Sequence, residues 1–199
     1  SPDQRGPRKF PPGLPGLKVR LVRWLARRSI VRRKFEGAWV FIDRENDADD
    51  NAEHMYRWVR DHHPEINAWF LLTRSSTHWR RLSLDGFRLM PPGVLRKALL
   101  LNCDHIISSH AEYMDGGFNR NMYGDLMNWR YTFLQHGVIK DDLSHWLSNQ
   151  RFDLFITTSP AEHASIVNDE KPYSYTAREV RRNGLARHAR LLRLATATA

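Results

Sequence analysis

From residue 38 onward the chain alternates short apolar runs with amphipathic ones. Six runs have strand length and read as buried strands: "AWVFID" (38–43), "NAWFLL" (67–72), "FRLM" (87–90), "HIISS" (105–109), "YTFLQ" (131–135) and "FDLFITT" (152–158). Between the first two, "NAEHMYRWVRDHH" (51–63) has helical spacing behind the capping candidates Asp49 and Asp50. A helix over "VLRKALLLN" (94–102) follows the breaker Pro91-Pro92-Gly93, and "SHWLSN" (144–149) is helix-like. Ser159-Pro160 opens a further helix through Ala161 to Val167. His78 to Leu82 predicts a short helix or loop, and a looser Gly- and Met-containing segment runs from His110 to Trp129. Six strands alternating with helices predict an α/β fold with a Rossmann-like, doubly wound parallel sheet over 35–185.

The first 34 residues break this pattern. Residues 1–16, rich in Pro and Gly, predict an extended or disordered lead-in. Residues 17–34 predict a basic amphipathic helix with Arg20, Arg23, Arg27 and Lys34 on one side. Leu17, Leu21, Trp24 and Leu25 lie beside them, while Arg28 and Arg32 interrupt the apolar stripe. Such a segment suits an anionic membrane surface, with Trp24 at the headgroups and Arg20, Arg23 and Arg27 on lipid phosphates. It suits equally a solvated basic tail or an interdomain helix.

Charge sharpens this division. The chain of 199 residues carries a net +9, but residues 1–34 hold eleven Lys/Arg against Asp3, a net of +10. Residues 35–199 are therefore close to neutral, at −1. A nucleic-acid binder spreads Lys/Arg over the face that tracks phosphates, so nucleic acid is not an expected partner. Cys103 is the single cysteine, which fits a reducing compartment. No apolar run approaches the ~20 residues that span a bilayer. A cytoplasmic location is the expectation.

Four strand ends carry polar chemistry: Asp43-Arg44, Ser108-Ser109-His110, Gln135-His136-Gly137 and Thr157-Thr158-Ser159. In a parallel sheet, ligands bind beyond such ends. His136 reads either as a base for a hydroxyl proton or as a turn histidine bonded to the backbone, with Gly137 allowing close approach. Asp47-Ala48-Asp49 has the spacing of a metal-binding carboxylate pair, and equally that of an acidic helix N-terminus. No phosphate loop, nucleophile elbow or paired-histidine zinc pattern occurs, so no metal and no cofactor are expected.

The ordered segments "FIDRENDADDNAEHMYRWV", "HIISSH", "FLQHGVIKDDLSHWL", "FITTSPAEHASI" and "GLARHARLL" resemble the CDP-glycerol glycerophosphotransferase family of teichoic-acid and capsule polymerases. The resemblance spans 38–192 and implies the N-terminal domain of a GT-B glycosyltransferase-like pair, peripheral on the inner face of the membrane. It implies that His136 deprotonates the terminal hydroxyl of a lipid-linked acceptor, which attacks the β-phosphate of CDP-glycerol and releases CMP. Asp43, Arg44, Asn51, Ser109, Gln135, Gly137 and Ser159 are then expected to line the acceptor side. Transfer of ribitol or sugar phosphate, or a non-catalytic membrane-associated binding module, are the alternatives. The chain departs from the family's G-x-P-R-H-D at Ala186 and Ala189. On this reading 186–199 begin the connection to an absent nucleotide-binding domain, which would act in trans or leave the chain inactive.

Overall fold

The computed structural model describes residues 16–111, 120–137, 141–167 and 173–188. Most of the lead-in, part of the loop between His110 and Trp129 and the end of the chain thus lie outside the described residues. Seven strands form one parallel sheet: β1 (Trp39–Ile42), β2 (Ala68–Leu71), β3 (Leu89–Met90), β4 (His105–Ser108), β5 (Arg130–Phe133), β6 (Leu154–Thr157) and β7 (Val180–Arg182). Their order is β3-β2-β1-β4-β5-β6-β7. The helices are α1 (Leu17–Ala26), α2 (Ser29–Phe35), α3 (Asn51–His62), α4 (Trp79–Leu84), α5 (Val94–Leu100), α6 (Arg120–Tyr123), α7 (Ser144–Leu147) and α8 (Pro160–Val167). The chain is an α/β protein with a Rossmann-like parallel sheet.

Both faces of the sheet are apolar because both are covered, as parallel sheets require. Val40, Ile42, Ile106 and Phe155 pack on one face with Val22 of α1, Val31 and Phe35 of α2, and Leu99 of α5. Phe41, Phe70, Ile107 and Ile156 pack on the other with Ala52, Tyr56 and Val59 of α3 and Leu82 of α4. Register couples the strands that matter for the site: Ile42 lies opposite Ser108, and Ser108 opposite Phe133. Helix α3 leans on β1, β2 and β4. Over β5 and β6 it leaves a cavity of about 1360 Å³, floored by Thr132, Leu134, Leu154 and Ile156 and flanked by Met55 and Trp58.

Two elements differ from the sequence expectation. The seventh strand, β7, is an edge strand whose burial pattern is one buried residue, Val180, followed by exposed Arg181 and Arg182. Outward arginines protect a free sheet edge but erase the apolar signal of a strand. The basic segment is two helices, not one. At 3.6 residues per turn, Val22 and Val31 would sit half a turn apart around a continuous helix. Breaking it at Arg27 and Arg28, where Arg28 takes an extended φ of −68° and ψ of 133°, lets Val22, Ala26, Val31 and Phe35 enter the same core. The segment expected to stand apart over 17–34 is thus built into the domain.

That burial sorts the proposed membrane residues. Arg23 is not free for lipid: its guanidinium makes a two-pronged ion pair with Asp125, at 2.6 and 2.5 Å. Arg20, Trp24 and Arg27 stay exposed, and Arg28 lies 4.0 Å over the Trp24 ring. Leu17, Leu21 and Ile30 are also exposed. Among the described residues no helix is long and apolar enough to cross a membrane.

Candidate active site

The direction of winding reverses between β1 and β4, because β2 and β3 extend the sheet to one side of β1 and β4 to β7 to the other. Ligands of open α/β sheets bind beyond the strand ends at this reversal. The residues that leave β1, β4 and β5 there form two layers, an inner one that ties the backbone together and an outer one that faces solvent.

Asp43 is the centre of the inner layer. It is 3% exposed, and one carboxylate oxygen accepts from the Ala52 amide at 2.9 Å and the Ser109 hydroxyl at 2.5 Å. The other accepts from the amides of Asp50 and Glu53, at 3.0 and 3.3 Å. A carboxylate at the start of α3 satisfies amides that have no partner within the helix and complements the helix dipole. Burial pushes its pKa up to about 6, against the pull of the Ser109 hydroxyl and the Asp50 and Ala52 amides. Asn51 is fully buried; its amide donates to the Gln135 carbonyl at 2.8 Å, and its oxygen accepts from the Arg187 amide at 3.0 Å. Gln135, 2% exposed, donates to the Ile156 carbonyl at 3.0 Å.

These bonds give four of the expected site residues a place in the fold. Asp43, Asn51, Ser109 and Gln135 hydrogen-bond within the protein, joining the ends of β1, β4, β5 and β6 to α3. Ser159 also turns inward, capping α8 by accepting from the Glu162 amide at 3.1 Å. Gly137 needs no special conformation, and a Cβ there would meet open space. At this strand end Gln135 is left-handed, at φ 62°. A non-glycine residue in that region is held by its surroundings, here the bonds to Asn51 and Ile156, and the twist turns His136 outward.

The outer layer consists of Arg44, Asp50, His110, His136 and Arg187. Arg44 Nε donates to His110 Nε2 at 3.0 Å. The His110 and His136 rings are stacked, with centroids 4.4 Å apart and planes 19° from parallel. Arg187 Nη1 lies 2.9 Å from Asp50 Oδ1, and the other Asp50 oxygen lies 3.9 Å from His110. Burial, His136 and Arg44 together push His110 down to about 4, while Asp50 and Asp47 pull the other way. His110 stood in the sequence reading only as part of a polar strand end, with no role of its own, and Arg187 only within a motif. The R-H of "GLARHARLL" was the available signal for Arg187, whose side chain and amide reach the start of α3 from 136 residues away.

The acidic loop pairs with neighbouring side chains and with the start of α3. Asp47 lies 2.9 Å from His78, Asp49 lies 3.6 Å from His54, and Asp50 caps α3 through the Asn51 amide. Among the described residues no group of three His, Cys, Asp or Glu side chains is placed to hold a metal ion.

No family model and no solved structure match the chain. Among curated proteins it is similar to the minor teichoic acid biosynthesis protein GgaB of Bacillus subtilis (strain 168), with 32% identity over 158 residues. That match covers 77% of this chain and 17% of the relative, so the chain spans about a sixth of the relative's length. This similarity to a protein of teichoic acid biosynthesis over most of the chain agrees with the resemblance to the CDP-glycerol glycerophosphotransferase family carried by the ordered motifs.

Proposed function

We propose that the chain is the acceptor-side domain of a glycerophosphotransferase that works in teichoic acid synthesis. The observation that carries this reading is the outward-facing Arg44–His110–His136 group at the reversal point of the sheet. A primary alcohol is a poor nucleophile, and a histidine near neutral pH can take its proton as the new bond forms. His136 Nε2 or Nδ1 receives the proton of the acceptor hydroxyl. The oxygen then bonds to the β-phosphorus of CDP-glycerol, and the bond from that phosphorus to the bridging oxygen breaks, with CMP leaving. The Arg44 guanidinium, hydrogen-bonded through Nε, keeps its terminal nitrogens for the acceptor's phosphodiester. Donor phosphates and cytidine fall to a second domain.

The acceptor half of this reading is testable on the chain itself. Titrating short glycerol phosphate oligomers into isotope-labelled protein should shift resonances at Arg44, His110 and His136, and CDP-glycerol should not. Unmoved resonances at these residues, with saturating oligomer, would sink the assignment.

The peripheral seat on the inner membrane face rests on the exposed α1–α2 surface, where Leu17, Leu21, Trp24 and Ile30 alternate with Arg20, Arg27 and Arg28. Polybasic attraction of about 1 kcal/mol per residue predicts that reversing Arg20 and Arg27 to Glu, with Trp24→Ala, lowers affinity for anionic vesicles by at least about 10-fold. Flotation with anionic and zwitterionic vesicles measures it; equal retention of the variant and the parent chain would remove this surface from consideration.

A further inference from the structure

We infer that His110 is a two-sided positioning residue: the edge of its ring fixes the Arg44 guanidinium, and the face of its ring fixes the His136 imidazole. This rests on the reading of His136 as the base, and it adds a residue whose role is to hold that base and the acceptor-binding arginine in one geometry.

His110 is built to be rigid. Ser108 Oγ donates to its carbonyl at 2.7 Å and accepts from its amide at 3.1 Å, and the Tyr131 hydroxyl donates to the same carbonyl at 2.8 Å. Those partners are at the ends of β4 and in β5, so the backbone of His110 is clamped by the sheet. Its ring is mostly covered, at 20% exposure. His136 is different: it is exposed, and among the described residues its ring is contacted by the His110 ring and by no hydrogen-bonding side chain. A base must be oriented without losing its ring nitrogens, and a stacked partner does that where a hydrogen bond would occupy one of them.

The edge contact fixes the chemistry of His110. Arg44 can only donate, so Nε2 of His110 must be unprotonated and the ring proton sits on Nδ1. The groups around the ring are Arg44 from the end of β1, Asp47 and Asp50 ahead of α3, Arg187 paired with Asp50, and His136 from the end of β5. Burial, His136 and Arg44 favour the neutral ring, down to about 4, over the two acids. A neutral ring is what the stack needs. When His136 takes a proton from the acceptor, an imidazolium then lies on a neutral π-face rather than against a second cation, which would repel it.

The two sides can be separated by substitution. His110→Phe keeps the aromatic face and removes the acceptor for Arg44. His110→Asn keeps an acceptor near the edge and removes the face. Ring signals of His136, assigned by their loss in His136→Ala, are followed by NMR from pH 4 to 9 in the 199-residue chain, with thermal unfolding as the check on folding. His110 in the parent chain should stay neutral until pH falls to about 4. His110→Asn should move the His136 ring shifts, and His110→Phe should leave them near those of the parent. In an enzyme joining this chain to a nucleotide-binding domain, His110→Asn should lower kcat about 10- to 100-fold, the scale of a misplaced catalytic group, with acceptor KM little changed. His110→Phe should recover most of that kcat and instead raise acceptor KM through Arg44. Unchanged His136 ring shifts in His110→Asn would overturn the inference whatever the transfer assays give. Moved signals together with an active His136→Ala enzyme would leave the positioning intact and overturn the catalytic reading.

Discussion

His136→Ala should reduce glycerol phosphate transfer by about 10²- to 10⁴-fold, the usual contribution of a positioned general base. The assay is CMP release from CDP-glycerol with a lipid-linked glycerol phosphate acceptor, in an enzyme that joins this chain to a nucleotide-binding domain of the family. The loss should fall on kcat, because in the proposed reaction the imidazole takes the proton as the bond to phosphorus forms and contributes little to holding the acceptor. Stability should hardly change. His136 is exposed, and surface substitutions of this kind stay within about ±0.5 kcal/mol, or roughly 2 °C in the unfolding midpoint of a chain this size. His136→Gln should be as inactive as the alanine variant, since an amide cannot take the proton. Transfer within a few-fold of the parent enzyme would show that the acceptor hydroxyl loses its proton elsewhere.

The alternation of apolar runs was enough to read six of the seven strands and the parallel α/β arrangement, because strands buried on both faces declare themselves by composition. The edge strand β7 was hidden, since its Arg181 and Arg182 face solvent and its apolar content is Val180 alone. The break in the basic segment was present as a phase shift between Val22 and Val31, and emerges only once both are known to be buried. The site was legible as a location, while the partners of its polar residues were not. Polar residues at strand ends look alike in sequence whether they face a ligand or a helix terminus. Asp43 and Ser109 turn inward because α3 begins within reach of β1 and its first amides need acceptors, and Asn51 and Gln135 because the Gln135 and Ile156 carbonyls need donors. Arg44 and His136, each next in sequence to one of them, were left facing out. That adjacency ties the inner layer to function: residues that fix the backbone at 43, 109 and 135 set the positions of 44, 110 and 136.

Asp43→Ala tests that tie, and its expected effect is loss of stability. The substitution leaves the amides of Asp50 and Glu53 and the Ser109 hydroxyl without their acceptor, while the Ala52 amide keeps the Ser109 oxygen. A lost helix cap is worth about 0.5–2 kcal/mol, and each buried donor left unsatisfied adds about 1–3 kcal/mol. Partial entry of water and overlap between these contributions bring the expectation to about 3–4 kcal/mol. At roughly 2–4 °C per kcal/mol for a protein of this size, the unfolding midpoint should fall by about 10 °C. Asp43→Asn should lie between parent and alanine variant: its oxygen can serve one pair of donors, while its NH2 meets the other pair as donor against donor. Ser109→Ala should be milder, about 1 kcal/mol, because Asp43 keeps its three amides. The ordering Ala worst, Asn intermediate, Ser109→Ala mildest is specific to a carboxylate that holds a helix start. If Asp43→Ala melts within about 2 °C of the parent, the helix cap at the end of β1 is not what holds this layer together. Loss of acceptor binding at unchanged stability would instead return Asp43 to the substrate.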